Sequence, residues 1–192
     1  MKTLLAIFLL VIGFPGRSPG KVDLPTIDYR VKVKITVENH TPYTLTAAYW
    51  KIVEGVTVTD PLSIGPRAMR MCAFRKRDNV AYGTYGTVSW EVSGKDHRFV
   101  VMWSAPFSFD FYSNWMGLGL TERWKTSVAF GDDLFKEMYG DTKIQDFTYL
   151  NKDFFSDLNP VNLKLHGFNM TGTMTSGHHA EITVKFEVAQ ET

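Results

Sequence analysis

Cysteine is nearly absent from this sequence of 192 residues, in which Cys72 is the single one. One thiol cannot close an internal disulfide, so packing and hydrogen bonds must hold the fold together. Cys72 lies in the apolar stretch Met69–Phe74, which predicts a buried thiol that packs as a small hydrophobic side chain. A bridge to a second molecule is the alternative.

A strong net charge is also missing. The chain has 21 basic and 20 acidic residues, for a net charge of +1. Non-specific binding to nucleic acid needs clustered lysine and arginine, so we expect no nucleic-acid partner. The hydrophobic fraction of 44% excludes an intrinsically disordered chain, and the length fits one domain with a core of its own.

Motifs for catalysis are lacking as well. The sequence contains no Gly-x-Ser-x-Gly, no His-Glu-x-x-His and no glycine-rich phosphate loop, so we expect no catalytic residues, no cofactor and no enzyme activity. His178 and His179 with Glu181 are the nearest approach to a metal site. Adjacent residues of a strand point to opposite faces, so a solvated turn without a metal is the favoured interpretation.

The longest apolar run, Leu4–Phe14, is shorter than the about 20 residues that a transmembrane helix needs. It follows the positive charge of Lys2 and is broken by prolines and glycines up to Gly20. This pattern predicts a secretory signal peptide over residues 1–20 and a secreted domain over residues 21–192. Cleavage after an earlier glycine is the alternative.

Period-two alternation of apolar and polar residues is the dominant pattern, clearest where Val31, Val33, Ile35 and Val37 share one face. It indicates half-buried strands. The predicted strands are Arg30–Glu38, Tyr43–Val53, Ala68–Phe74, Val80–Val92, Arg98–Ala105, Leu163–Phe168 and Ala180–Val188. Within the fourth of these, Gly83 and Gly86 predict a bulge or a close approach of another backbone.

Helical patterns are few. Asp132–Tyr139 has helical spacing of apolar residues, acidic residues in its first turn and Gly140 as a stop. Asp153–Leu158 is a candidate for one more short helix before Pro160. Together with the strands, these patterns predict a mainly β fold, a β-sandwich flanked by one or two short α-helices.

The aromatic residues, 14% of the chain, concentrate in the segment Trp103–Met116. A buried core strand is one interpretation of its alternating rings. Pro106 and the interleaved serine, aspartate and asparagine residues argue instead for a loop that exposes its rings. Tyr112 and Trp115 have the apolar body and polar edge that suit a membrane interface.

The same segment resembles the actinoporin signature Phe-Ser-Val-Pro-Tyr-Asp-Tyr-Asn-Trp-Tyr-Ser-Asn-Trp-Trp. The matching residues are Ser104, Pro106, Tyr112, Ser113, Asn114 and Trp115. Aromatic residues other than the family's stand at Phe107, Phe109 and Phe111, and Met116 replaces the last tryptophan. Val80–Gly86 and the stretch from Gly167 to Ile182 resemble further ordered motifs of the family, so the likeness spans residues 30–188.

The resemblance implies a secreted pore-forming cytolysin that recognises phosphocholine headgroups, sphingomyelin above all, and forms homo-oligomers in the target-cell membrane. A venom gland or nematocyst would be its source. The implied phosphocholine-binding residues are Tyr85, Ser104, Pro106, Tyr112, Phe135 and Tyr139. The implied membrane-interface loop holds Phe109, Phe111, Trp115 and Met116. A non-perforating lipid- or glycan-binding lectin-like module of the same fold is the alternative.

Three departures from the family pattern qualify this expectation. Glu54 stands where the family has a pocket serine, and Gly140 where it often has a second tyrosine, so full lipid specificity is less expected. Family members insert a long amphipathic N-terminal helix. After cleavage at Gly20, only Lys21–Tyr29 precedes the first strand, and its Pro25 disfavours a helix. We therefore expect membrane binding with weak pore formation.

Overall fold

Strand β1 (Lys32–Asn39) buries Val33, Ile35 and Val37 and turns its lysines outward, as the alternation predicts. The computed structural model describes residues 30–127 and 132–190. In it β1 lies inside a six-stranded sheet, here sheet 1, between an antiparallel and a parallel neighbour. Its order is β3 (Val56–Thr59), β4 (Ala68–Arg75), β1, β11 (His179–Val188), β10 (Phe168–Met174) and β9 (Val161–Leu165).

The second sheet, sheet 2, has five strands that are all antiparallel. Its order is β2 (Leu45–Glu54), β5 (Thr84–Val92), β6 (His97–Ala105), β7 (Trp115–Thr121) and β8 (Phe147–Asp153). The inner faces of the two sheets meet in one core, to which both sheets contribute buried apolar side chains. The β-sandwich prediction is confirmed.

Aromatic rings fill the core between the sheets. The rings of Phe74 and Trp103 stack with centroids 4.1 Å apart, and those of Phe99 and Phe186 with centroids 4.8 Å apart. Each pair joins the two sheets. Cys72 is buried beside them, and burial raises the pKa of its thiol to about 12. The prediction of a buried, hydrophobic thiol is confirmed.

A single helix is present in the described part of the chain, α1 (Asp132–Tyr139). Leu134, Phe135 and Met138 bury its apolar side against the outer face of sheet 2. The helix ends as predicted, with hydrogen bonds from Gly140 N to Lys136 O (2.8 Å) and from Thr142 N to Glu137 O (2.9 Å). The residue with positive φ is Asp141 rather than the glycine.

The second predicted helix, Asp153–Leu158, is wrong. Asp153 is the last residue of β8, and residues 154–158 form no helix. The backbone N–H of Phe154 donates to Asn114 O at 2.7 Å, and the Lys152 ammonium donates to Asp157 and to the Asn159 carbonyl. These contacts hold the segment as a loop against its neighbours.

Four strands escaped the sequence analysis: β3, β7, β8 and β10. Strand β7 illustrates the reason, because its buried glycines interrupt the apolar pattern. A Cβ at Gly119 would lie 2.1 Å from the Phe147 ring, so the glycine makes room for an aromatic side chain of β8. Glycine has a low strand propensity, so its presence argues against a strand in the sequence. In β7 it is nevertheless needed, because no larger residue would fit.

Close backbone approach at Gly83 and Gly86 was predicted, and it is confirmed. A Cβ at Gly83 would lie 1.8 Å from the Ala105 carbonyl oxygen, and one at Gly86 would lie 2.3 Å from the Lys51 carbonyl oxygen. The predicted signal peptide, residues 1–20, and Lys21–Tyr29 lie outside the described residues. Within residues 30–127 and 132–190, no helix is long and apolar enough to cross a bilayer.

Candidate functional site

Several loops leave the sandwich from one end of sheet 2, here called the loop end. Three register pairs define it: Thr84 with Ala105, Ser104 with Trp115, and Trp115 with Asp153. Paired strand ends lie side by side, so the connections that follow or precede them emerge together. These are the loops 76–83, 106–114 and 154–160.

Four aromatic rings form a contiguous series on the outer face of sheet 2 near the loop end, here called the aromatic ladder. Tyr85 of β5 stacks on Phe135 of α1 with centroids 5.0 Å apart, and Phe135 stacks on Tyr139 at 5.5 Å. Trp115 of β7 tilts against Tyr139 at 5.2 Å. Two strands and a helix, far apart in sequence, thus build one surface of rings.

Hydroxyl groups border the aromatic ladder. Ser104 is the cross-strand partner of both Tyr85 and Trp115, so it lies between two of the rings. Burial, and to a lesser extent the electrostatic influence of Tyr112, raises the pKa of Tyr139. The Tyr139 hydroxyl is therefore protonated and able to donate a hydrogen bond at neutral pH.

The loop 106–114 is fixed at both ends and open at its tip. Asn114 donates its side-chain N–H to the carbonyls of Thr175 and Gly177, both at 2.9 Å. At the other end, the Phe107 carbonyl lies 2.9 Å from His178 Nε2. Between them Phe111 is 86% exposed and Tyr112 is 63% exposed. Exposed rings on an anchored loop are suited to contact another surface.

His178 is therefore not a solvated turn residue, as the sequence suggested, but a support for this loop. Its ring also packs edge-on against Phe109, with centroids 4.7 Å apart. Among the described residues, no group of three or more histidine, cysteine, aspartate or glutamate side chains is placed to hold a metal ion.

Glu54 ends strand β2 opposite Tyr85, beside the aromatic ladder. Its carboxylate accepts two hydrogen bonds from Arg77, at 2.7 Å from Nε and 2.8 Å from Nη2. The carboxylate is largely buried, whereas half of the Arg77 side chain is exposed. This contact raises the pKa of Arg77. Glu54 thus holds a permanent cation at the edge of the site.

The family model described as sea anemone cytotoxic protein matches residues 21–188. The chain belongs to this family. The resemblance to actinoporins that the sequence suggested is thereby confirmed, and so is the expectation that the chain is not an enzyme, because this is a family of cytotoxins.

Relatives of this cytotoxin-family chain occur in Terebra and Conus species. It is 42% identical to Tereporin-Ca1 of Terebra anilis over 159 residues, which cover 81% of this chain and 84% of the relative. It is 31% identical to Conoporin-Cn1 of Conus consors, over 96% of this chain and 84% of the relative. Among solved structures, the lipid binding protein Nakanori has a similar fold, with a TM-score of 0.63 and 13% identity over 83% of this chain and 72% of that one.

The structure brings most of the predicted phosphocholine residues of this cytotoxin-family chain together. Tyr85, Phe135 and Tyr139 are rungs of the aromatic ladder, and Ser104 lies between Tyr85 and Trp115. Tyr112 is exposed on the adjacent loop 106–114. Pro106 begins the loop 106–114, just beyond Ser104.

The predicted membrane-interface residues divide into two groups. Phe111 is exposed at the loop tip, and Phe109 is half-buried against His178. Met116 is wrong as an interface residue, because it lies in β7 and is fully buried in the core, where its methyl group faces Gly172. Trp115 is also a strand residue, half-buried against Tyr139.

Two contributors to the site differ from the sequence-based expectation. Trp115 was predicted in the membrane-interface loop but is a rung of the aromatic ladder, and Arg77 was not predicted as a site residue at all. The pairing of Ser104 with Trp115 in the β6–β7 hairpin could have revealed the first. No sequence pattern predicts the role of Arg77, because Arg77 and Glu54 come into contact only in the folded protein.

Proposed function

We propose that this cytotoxin-family chain binds choline-headed lipids, sphingomyelin and phosphatidylcholine, through the aromatic ladder, and that it forms oligomers and acts as a cytolysin in the target membrane, with a pore-forming activity that is weak if the mature protein begins at Lys21. One observation carries the proposal: rings from β5, β7 and α1 meet as one surface beside a loop with exposed aromatic side chains.

A choline headgroup matches the chemistry of this surface. Its quaternary ammonium cannot donate a hydrogen bond, but it is attracted to the negative face of an aromatic ring. Each such contact contributes about 0.5–2 kcal/mol, more where water is excluded. Phe135 is buried between its neighbours, whereas Tyr85, Trp115 and Tyr139 stay partly accessible. These accessible rings favour choline over ethanolamine, whose ammonium is strongly hydrated and keeps its own hydrogen bonds.

The phosphate has partners beside the ladder. Ser104, Tyr112 and Tyr139 supply hydroxyl donors, and Arg77 supplies a guanidinium that its contact with Glu54 holds in place. Hydrogen bonds from such groups to an anionic oxygen are stronger than those between neutral groups. The arrangement thus offers rings to the cation and donors to the anion of one zwitterionic headgroup.

Headgroup preference is the direct test of the ladder. Vesicles of phosphatidylcholine or sphingomyelin should bind the protein about tenfold better than vesicles in which phosphatidylethanolamine replaces the choline lipid, since tenfold corresponds to about 1.4 kcal/mol. Tyr139→Leu should remove most of this preference, because leucine keeps an apolar side chain but loses the ring. Co-sedimentation with both kinds of vesicle measures it.

Tyr49→Leu is the matched control, since Tyr49 and Tyr139 are 38% and 37% exposed and both belong to elements of sheet 2 or its helix. The control should keep the wild-type preference. Equal binding of the wild-type protein to choline and ethanolamine vesicles would contradict the proposed headgroup recognition.

Permeabilisation gives a separate prediction, which concerns the segment Lys21–Tyr29. A protein that begins at Lys21 should bind sphingomyelin vesicles yet release little calcein, because this short segment with Pro25 cannot form a helix that spans a hydrocarbon core of about 30 Å. The measurement is calcein release at protein concentrations that saturate binding. Release at nanomolar protein would refute the length argument and support a complete pore without a longer helix.

A further inference from the structure

We propose that the loop 154–160 is a second membrane-contact loop, which inserts Phe155 and Leu158 into the interface of a choline-lipid bilayer beside the loop 106–114. The inference rests on the proposed function and extends it to a segment that the family resemblance did not assign. Phe155 is 65% exposed and Leu158 is 52% exposed.

The position of the loop is the first argument. Strand β8 ends at Asp153, opposite Trp115, so the loop 154–160 leaves the sandwich at the loop end. The backbone N–H of Phe154 donates to Asn114 O at 2.7 Å, and this bond joins it directly to the base of the loop 106–114. A bilayer that contacts Phe111 at the tip of the loop 106–114 therefore also comes close to the loop 154–160.

The anchoring of the loop is the second argument. Phe154 is fully buried in the core, whereas the next residue, Phe155, is turned out to solvent. The Lys152 ammonium bonds to Asp157 at 2.6 Å and to the Asn159 carbonyl at 2.9 Å, and its contact lowers the pKa of Asp157. A loop that is already fixed loses little conformational entropy when it meets the membrane.

The composition of the loop identifies the partner. Serine, aspartate and asparagine stand between and after Phe155 and Leu158. This mixture of apolar and polar side chains suits the headgroup region of a bilayer. The charge of Lys152 is matched by that of Asp157, so the loop brings no surplus positive charge that anionic lipids would attract. An uncharged, zwitterionic interface fits best.

The opposite end of the sandwich offers a matched comparison. There Val92 pairs with His97 and Thr121 pairs with Phe147. Leu62 and Trp124 lie in loops at that end and are 57% and 75% exposed. They are as apolar and as accessible as Leu158 and Phe155, but a bilayer docked at the loop end would not reach them.

The experiment compares two double variants, Phe155→Ser with Leu158→Ser and Leu62→Ser with Trp124→Ser, by co-sedimentation with sphingomyelin–phosphatidylcholine vesicles. The first should lower the partition coefficient about tenfold, and the second less than twofold. Equal partitioning of the first variant and the wild-type protein would overturn the second contact loop and leave the aromatic ladder intact. Absence of wild-type binding would instead overturn the proposed function, and this inference with it.

A second measurement tests membrane contact by the loop 154–160 if the serine variant does not fold. Leu158→Cys places an accessible thiol in the loop, and Cys72 is buried with its pKa raised to about 12. A thiol-reactive, environment-sensitive label therefore reacts at position 158. We expect a blue shift of the label's emission on addition of vesicles. Unchanged emission under conditions in which the protein binds would overturn the proposal.

Discussion

Phe111→Ala combined with Tyr112→Ala is expected to lower binding to choline-lipid vesicles about a hundredfold and to leave the thermal midpoint nearly unchanged. Full burial of one aromatic ring is worth up to roughly 4–6 kcal/mol, at about 25 cal/mol per Å² over about 150–250 Å². Partial immersion of two rings gives about 3 kcal/mol, which corresponds to that change in affinity. Their exposures of 86% and 63% explain why stability is spared.

The structure determines which residues this test includes. Trp115 stays intact, because its ring packs on Tyr139 and its removal would change stability and the aromatic ladder together. Trp124→Ala, which removes an exposed ring at the opposite end, is the control and should bind as the wild-type protein does. A large fall in the thermal midpoint of the double variant would show that its rings stabilise the fold instead.

Gly83→Ala is expected to be the most destabilising single methyl addition in the vicinity of the site, with a loss of about 3 kcal/mol or more. The added Cβ would lie 1.8 Å from the Ala105 carbonyl oxygen and 2.9 Å from Pro106 Cα. Both atoms belong to the backbone, so no side-chain rotation relieves the clash. Relief requires β6 or the start of the loop 106–114 to move, and vesicle binding should fall with stability.

Gly65→Ala is the matched control for this change. No atom lies within 4 Å of a Cβ at Gly65, and its φ lies outside the range that disfavours L-residues. Alanine there should leave stability unchanged or raise it by up to about 1 kcal/mol, because it restricts the unfolded chain. Chemical denaturation of both variants measures the difference. Equal stability of the Gly83 variant and the wild-type protein would contradict the described packing of loop 76–83.

The strands that alternate cleanly were predictable from the sequence, and those that pack through glycine were not. β1 buries every second residue and β11 does so from Ala180 to Phe186, and both were predicted within two residues of their bounds. β7 carries Gly117 and Gly119 because Met138 and Phe147 occupy the space above them. The neighbours that make glycine suitable there come from distant parts of the chain, so a local pattern cannot report them.

The same reasoning explains the error at Asp153–Leu158. Its composition permits a short helix, but the Phe154 N–H and the Lys152 ammonium bond to partners outside any helix. Local preference was overridden by contacts with Asn114 and Asn159. The loop that results became a candidate for membrane contact only when the register of β8 placed it next to the loop 106–114.

By itself, the sequence determined the family, the mainly β fold, the helix α1 and the exposed aromatic loop, because each depends on residues that are neighbours in the chain. The tertiary structure decided which rings form one surface. Tyr85, Trp115 and Tyr139 become adjacent through the strand register and the docking of α1. Met116, the residue after Trp115, is buried in the core, because successive strand residues face opposite sides of the sheet. Adjacency across a sheet is fixed by hydrogen-bond register and core packing, which no single segment contains.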